Sequence, residues 1–122
     1  MQIIKEVCVD SFLNAVNAEK KGANRIELCA RLDLDGLTPN KKLIKKVFSN
    51  LSIPIRVMIR PKHPSFIYSE EDIQRMIEDI NYCKELGHDV LCIHTDNHEN
   101  NSQTLIENSI LSEDLKDEIF YD

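Results

Sequence analysis

No stretch of this sequence approaches the roughly 20 consecutive apolar residues that a membrane-spanning helix needs. No bank of lysine and arginine marks a surface for nucleic acid or anionic lipid. The 15 basic residues are scattered among 21 acidic ones, giving a net charge of −6. That acidity serves solubility, so no nucleic acid and no membrane is expected as a partner. The four cysteines, Cys8, Cys29, Cys83 and Cys92, form no CxxC pair, which removes the usual framework of a structural zinc site. The loop-rich character of a small disulfide-stapled domain is missing too. Lys5, Glu6 and Asp10 interrupt the amino-terminal stretch, so no secretory leader is read there. Reduced thiols in a cytoplasmic setting are the expectation.

What the 122 residues do contain is globular: 42% are apolar and 30% charged, enough for one domain with a buried core. The hydrophobic pattern alternates between short extended runs and helical stripes. Strands are expected over 3–9, 25–29, 53–59 and 90–94. Helices are expected after Asp10-Ser11, with Phe12, Leu13, Ala15 and Val16 as the stripe, and after Thr38-Pro39, with the proline at the first helical position. A third is expected after Ser69, where Asp72 completes a capping box. Cys83 falls on the apolar stripe of that helix and reads as a small core residue. Lys20 and Lys21 before Gly22 mark a helix end. The order βαβαβαβ with short loops predicts an α/β fold with a parallel sheet and right-handed crossovers. From 95 to 122 the chain turns polar and acidic, and that tail is expected to be weakly helical or disordered.

The first two strands carry the same chemistry. Glu6-Val7-Cys8 and Glu27-Leu28-Cys29 each place a carboxylate and a thiol two residues apart, hence on one face. Val7, Val9, Ile26 and Leu28 fall on the opposite, apolar faces. The third strand adds Arg56, Met58 and Arg60 to the polar phase, and the fourth adds Cys92 and His94. Parallel strands buried on both faces read as continuous apolar runs, and these do not. The polar faces are therefore expected to converge as in the interior of a β/α barrel, whose functional groups gather at the carboxyl ends of the strands. Two thiols at matching heights on neighbouring strands, with the thioether of Met58 nearby, make a soft donor set suited to Cu(I). The same closeness permits a disulfide, and inert core thiols are the plain competing reading. His63 and His88 read as loop histidines, and the His94–His98 spacing crosses a strand end. Arginine neighbours favour ionised Glu6 and Glu27, which makes them poor general acids.

Five blocks together resemble the CutC family of copper-homeostasis proteins. They are Glu6-Val7-Cys8-Val9-Asp10-Ser11, Asn24-Arg25-Ile26-Glu27-Leu28-Cys29, Gly36-Leu37-Thr38-Pro39, Val57-Met58-Ile59-Arg60-Pro61 and Phe66-Ile67-Tyr68-Ser69. The flavour is that of the eukaryotic homologues, over about Lys5 to Leu91. The resemblance implies a TIM-type barrel that forms oligomers, a cytoplasmic setting, and a role in handling Cu(I). It implies that the suggested copper-binding cysteines fall on Cys8 and Cys29. Asp35-Gly36 and Lys62-His63-Pro64-Ser65 depart from the family pattern at the barrel mouth, and the pattern is lost beyond His94.

A full (β/α)8 barrel takes about 250 residues. Residues 1–94 are accordingly expected to be half of one, truncated to about the first four strands, with edges covered by a homo-oligomer. The reading reached is a non-catalytic, copper-binding protein with Cys8 and Cys29 as Cu(I) ligands and Met58 as a third. Two rivals stand beside it. One is a barrel-type enzyme that holds a small anion with Arg56 and Arg60, with Glu27 near the chemistry. The other is a fragment that acts only by joining a full-length homologue.

Overall fold

A computed structural model describes residues 3–64, 68–87, 91–93 and 119–121. Among these residues five parallel strands form one sheet in sequence order: β1 (Glu6–Val9), β2 (Arg25–Leu28), β3 (Ile55–Ile59), β4 (Leu91–Ile93) and β5 (Ile119–Tyr121). Helices α1 (Phe12–Lys20), α2 (Lys41–Asn50) and α3 (Glu70–Glu85) connect the first four strands. The result is an α/β fold built on parallel strands. His88, His94 and His98 lie outside the described residues.

Each helix begins where a short polar side chain satisfies an orphan N–H. Ser11 Oγ accepts from Asn14 N at 3.1 Å. Ser69 and Asp72 bond each other's backbone in both directions, so the capping box is complete. The second helix corrects the expected start. Its cap is Asn40, whose Oδ1 accepts from Leu43 N at 2.8 Å, and Pro39 lies outside the helix. Thr38 is withdrawn from capping because it is engaged with Arg60, just past the end of β3. Gly22, just past the end of α1, holds φ +94°, the left-handed value that glycine adopts without strain. The Glu19 carboxylate accepts from Ser52 N and Ile53 N at 2.7 and 3.2 Å, tying α1 to the approach to β3.

The apolar core lies between one face of the sheet and the helices. Val9, Ile26, Leu28, Ile55, Val57 and Ile59 meet Ala15, Ile44, Val47, Ile73, Met76, Ile80 and Cys83. Cys83 is fully buried, as its helical position predicts. Leu13 departs from the expected stripe and is 68% exposed. The buried face of α1 follows Ala15 and Ala18, three residues apart, and Leu13 points away from it.

Ile119–Tyr121 pairs with β4 as a fifth strand, within the segment expected to be weakly helical or disordered. The loop over 30–36 contains a single 3₁₀ turn, Leu32–Leu34, flanked by Arg31 and Asp35, both with positive φ.

Candidate functional site

The face of the sheet turned from the helices carries the polar residues of the alternation. β1 and β2 pair with Glu6 beside Arg25, Cys8 beside Glu27 and Val9 beside Leu28. β3 continues the same rows, with Arg56 beside Glu27. In β4, Cys92 is the register partner of Met58.

The two thiols therefore share a face but not a height, which corrects the expectation of matching heights. Cys8 stands beside Glu27, and Cys29 lies one pleat further along, where its N–H donates to Val9 O at 2.9 Å. Diagonal neighbours of this kind have α-carbons about 7–8 Å apart, beyond the usual disulfide range of about 4.4–6.8 Å. Both cysteines are free. The reason for the stagger is electrostatic. Aligning the two Glu-x-Cys motifs level would set Glu6 directly beside Glu27, two like charges in lateral contact. The observed register gives Glu6 an arginine on two strands instead. Its Oε1 is 3.0 Å from Arg25 Nε and 3.4 Å from Arg56 Nη1. The Arg25 approach is close but not aligned as a hydrogen bond, so the attraction is that of an ion pair.

Cys8 is exposed, and its thiol donates to a carboxylate oxygen of Glu27 at 3.6 Å. Desolvation, then the charge and hydrogen bond of Glu27, push its pKa above the ordinary thiol value. Cys29 is buried and pushed up to about 12, first by burial and then by the negative charges around it. Both are thiols at neutral pH, which makes neither a ready nucleophile. Met58 packs against Cys29 in a small cluster of their own. Gly36 closes over them: a Cβ at this glycine would lie 3.3 Å from Cys29 Sγ and 3.5 Å from Met58 Cε. Its φ of +94° and this close approach both require the missing side chain. Among the described residues no group of three or more His, Cys, Asp or Glu side chains is gathered as a metal site. Among the described side chains, the sulfurs of this face are thus Cys8 on the Glu27 carboxylate and Cys29 packed with Met58.

Arg60, read from sequence as a group at the barrel mouth, does structural work. It is 2% exposed. Its guanidinium donates to the carbonyls of Leu34 and Gly36 at 2.9 and 3.3 Å, and its backbone N–H donates to Thr38 Oγ1 at 2.7 Å. Arg60 thereby pins the loop that carries Gly36 against Cys29. Sequence reasoning missed this clamp because its acceptors are main-chain oxygens, which leave no mark on residue type.

Comparison with known proteins finds relatives of a single family. The profile of the CutC family matches residues 3–113, which corrects the expectation that the family pattern is lost beyond His94. The human copper homeostasis protein cutC homolog is 47% identical over 88 residues, 72% of this chain and 32% of that protein. A CutC family protein of Vibrio atlanticus is 45% identical over 82 residues, 67% of this chain and 33% of its own length. A crystal structure of a CutC protein from Streptococcus agalactiae superposes with a TM-score of 0.78 at 30% identity, covering 88% of this chain and 55% of that one. The chain spans about a third of the length of the curated relatives it matches. With the profile spanning most of the residues and the parallel α/β architecture in common, the chain belongs to the CutC family.

Proposed function

We propose that this protein handles copper as a cargo, binding Cu(I) through the thiolates of Cys8 and Cys29 with the Met58 thioether as a third donor. The observation that carries the reading is the arrangement of two free cysteines on one sheet face, diagonal across Glu27, with Met58 packed on the second. Sulfur donors of this kind suit a soft monovalent ion over magnesium or calcium. Loading must displace a proton from each thiol, and their raised pKa values make uptake favoured by rising pH. The names of the curated relatives support the assignment to copper homeostasis.

The reading extends to the assembly. Parallel strands added in sequence order suit the opening part of a (β/α)8 barrel. The unpaired edge of β1 and the exposed Ile3, Ile4 and Val7 beside it favour a homo-oligomer that covers them. A cytoplasmic setting, where thiols stay reduced, fits the free cysteines of this face; no helix among the described residues is long and apolar enough to cross a membrane.

The test is a Cu(I) competition titration with a chromogenic chelator on the parent, Cys8→Ser, Cys29→Ser and Met58→Leu. Both cysteine variants should lose affinity by tenfold or more, about 1.4 kcal/mol or greater, and Met58→Leu by less. Unchanged affinity in the two serine variants overturns the assignment. The rival that uses Arg56 and Arg60 to hold an anion is disfavoured, because Arg60 has its guanidinium on loop carbonyls and Arg56 lies on Glu6.

A further inference from the structure

A cavity of about 330 Å³, with charged side chains on a partly apolar wall, opens between the β2–α2 connection and α3. Its lining includes Thr38, Asn40, Lys41, Arg60, Arg75 and Asp79. Three of these side chains are basic and one is acidic. Among the described residues the local balance is the reverse of the chain as a whole, which carries an excess of acid. The cavity lies just past the carboxyl ends of β2 and β3, where ligands of α/β folds gather, and includes neither cysteine nor Met58.

Asp79 senses both Lys41 and Arg75, yet among the described residues it forms an ion pair with neither. Burial raises its carboxyl above the ordinary value despite the two cations. Lys41 lines the cavity beside the Tyr82 ring: its Nζ lies 5.2 Å from the ring centre, and the Tyr82 hydroxyl donates to Lys41 O at 3.2 Å. Arg60 is fixed by loop carbonyls and forms an immobile positive wall. Separated charges of both signs around a cavity of this size complement a small molecule that itself carries both signs, since charge-assisted hydrogen bonds are the strong ones.

We infer that this cavity binds a small amino-bearing phosphate or carboxylate, its anionic group against Lys41 and Arg75 and its ammonium against Asp79. The site is independent of copper. Lys41 opens α2 and Arg75 lies in α3, both exposed, so truncating them leaves the core intact.

The experiment is titration of the isotope-labelled full chain with phosphoethanolamine and with inorganic phosphate, read by amide shifts and calorimetry. Both probes should move the amides of residues 38–42 and 75–79, with phosphoethanolamine the tighter severalfold. The double variant Lys41→Ala/Arg75→Ala should weaken both by about tenfold or more, with an unchanged far-ultraviolet spectrum. Asp79→Asn should remove the preference for the amine-bearing probe while keeping phosphate binding. Absence of shifts at those residues, or equal affinities in parent and double variant, overturns the site; a preference that survives Asp79→Asn overturns the role of the carboxylate.

Discussion

The thiol of Cys8 and the carboxylate of Glu27 face each other across the β1–β2 pair, 3.6 Å apart, with sulfur as the donor. This contact couples the exposed cysteine to a charge that disfavours its ionisation.

Replacing Glu27 by Gln removes that charge and should lower the Cys8 pKa. At pH 8 the thiolate fraction then rises and alkylation by iodoacetamide accelerates, by about threefold, because intrinsic nucleophilicity falls partly in step. Site-resolved mass spectrometry over time gives the rate. A rate equal to the parent's would mean that burial alone sets the thiol.

Alkaline stability offers a second check. Cys29 and Cys83 are raised from 9.0 to about 12, each chiefly by burial. The folded chain holds these protons through a range in which the unfolded chain releases them. Their contribution is therefore complete below pH 9 and is lost as pH climbs toward 12. Tyr68, raised from 10.0 to about 12 by burial, acts in the same direction. Denaturant midpoints measured at intervals should fall steadily above about pH 9, and Cys83→Ala should flatten that decline. A midpoint constant across the range would contradict the burial of these groups.

Arg60 makes a prediction about the loop over 31–36. Arg60→Met strips the carbonyls of Leu34 and Gly36 of their donor and should cost about 3 kcal/mol in urea unfolding. Arg60→Lys should recover only part of this, because an ammonium lacks the planar fork that reaches two acceptors. Full recovery by lysine would show that charge alone is needed.

Two adjacent residues in that loop separate backbone strain from packing. Asp35 has φ +65°, so Asp35→Gly relieves a left-handed conformation and should add about 0.5 kcal/mol after the greater freedom of the unfolded glycine is counted. Gly36→Ala should cost more than about 1 kcal/mol, because strain is joined by the 3.3 Å approach to Cys29 Sγ. It should also alter the accessibility of Cys29 to thiol reagents. A neutral Gly36→Ala would show that the loop moves freely over the sulfur.

The alternation of Glu6, Cys8, Glu27 and Cys29 made the shared polar face legible from sequence, because strand side chains repeat every two residues. Ser11 and Ser69 likewise announced their helices. The relative height of β1 and β2 was hidden, since the motif repeat invites a level alignment that Glu6 and Glu27 resist by repulsion. Thr38 was misread as a cap because its bond to Arg60 joins residues far apart in the chain. Ile119–Tyr121 is too short to show periodicity. The family blocks located Cys8 and Cys29, but only the register revealed that Glu27 stands beside the first of them.

The order of the strands has a bearing on how the sheet is made. Each strand pairs with the one synthesised before it, and the most widely spaced partners, such as Met58 and Cys92, are 34 residues apart. Such short closures keep contact order low for a parallel sheet. A nascent chain can thus lay down each unit on a neighbour already in place, from the amino end outward.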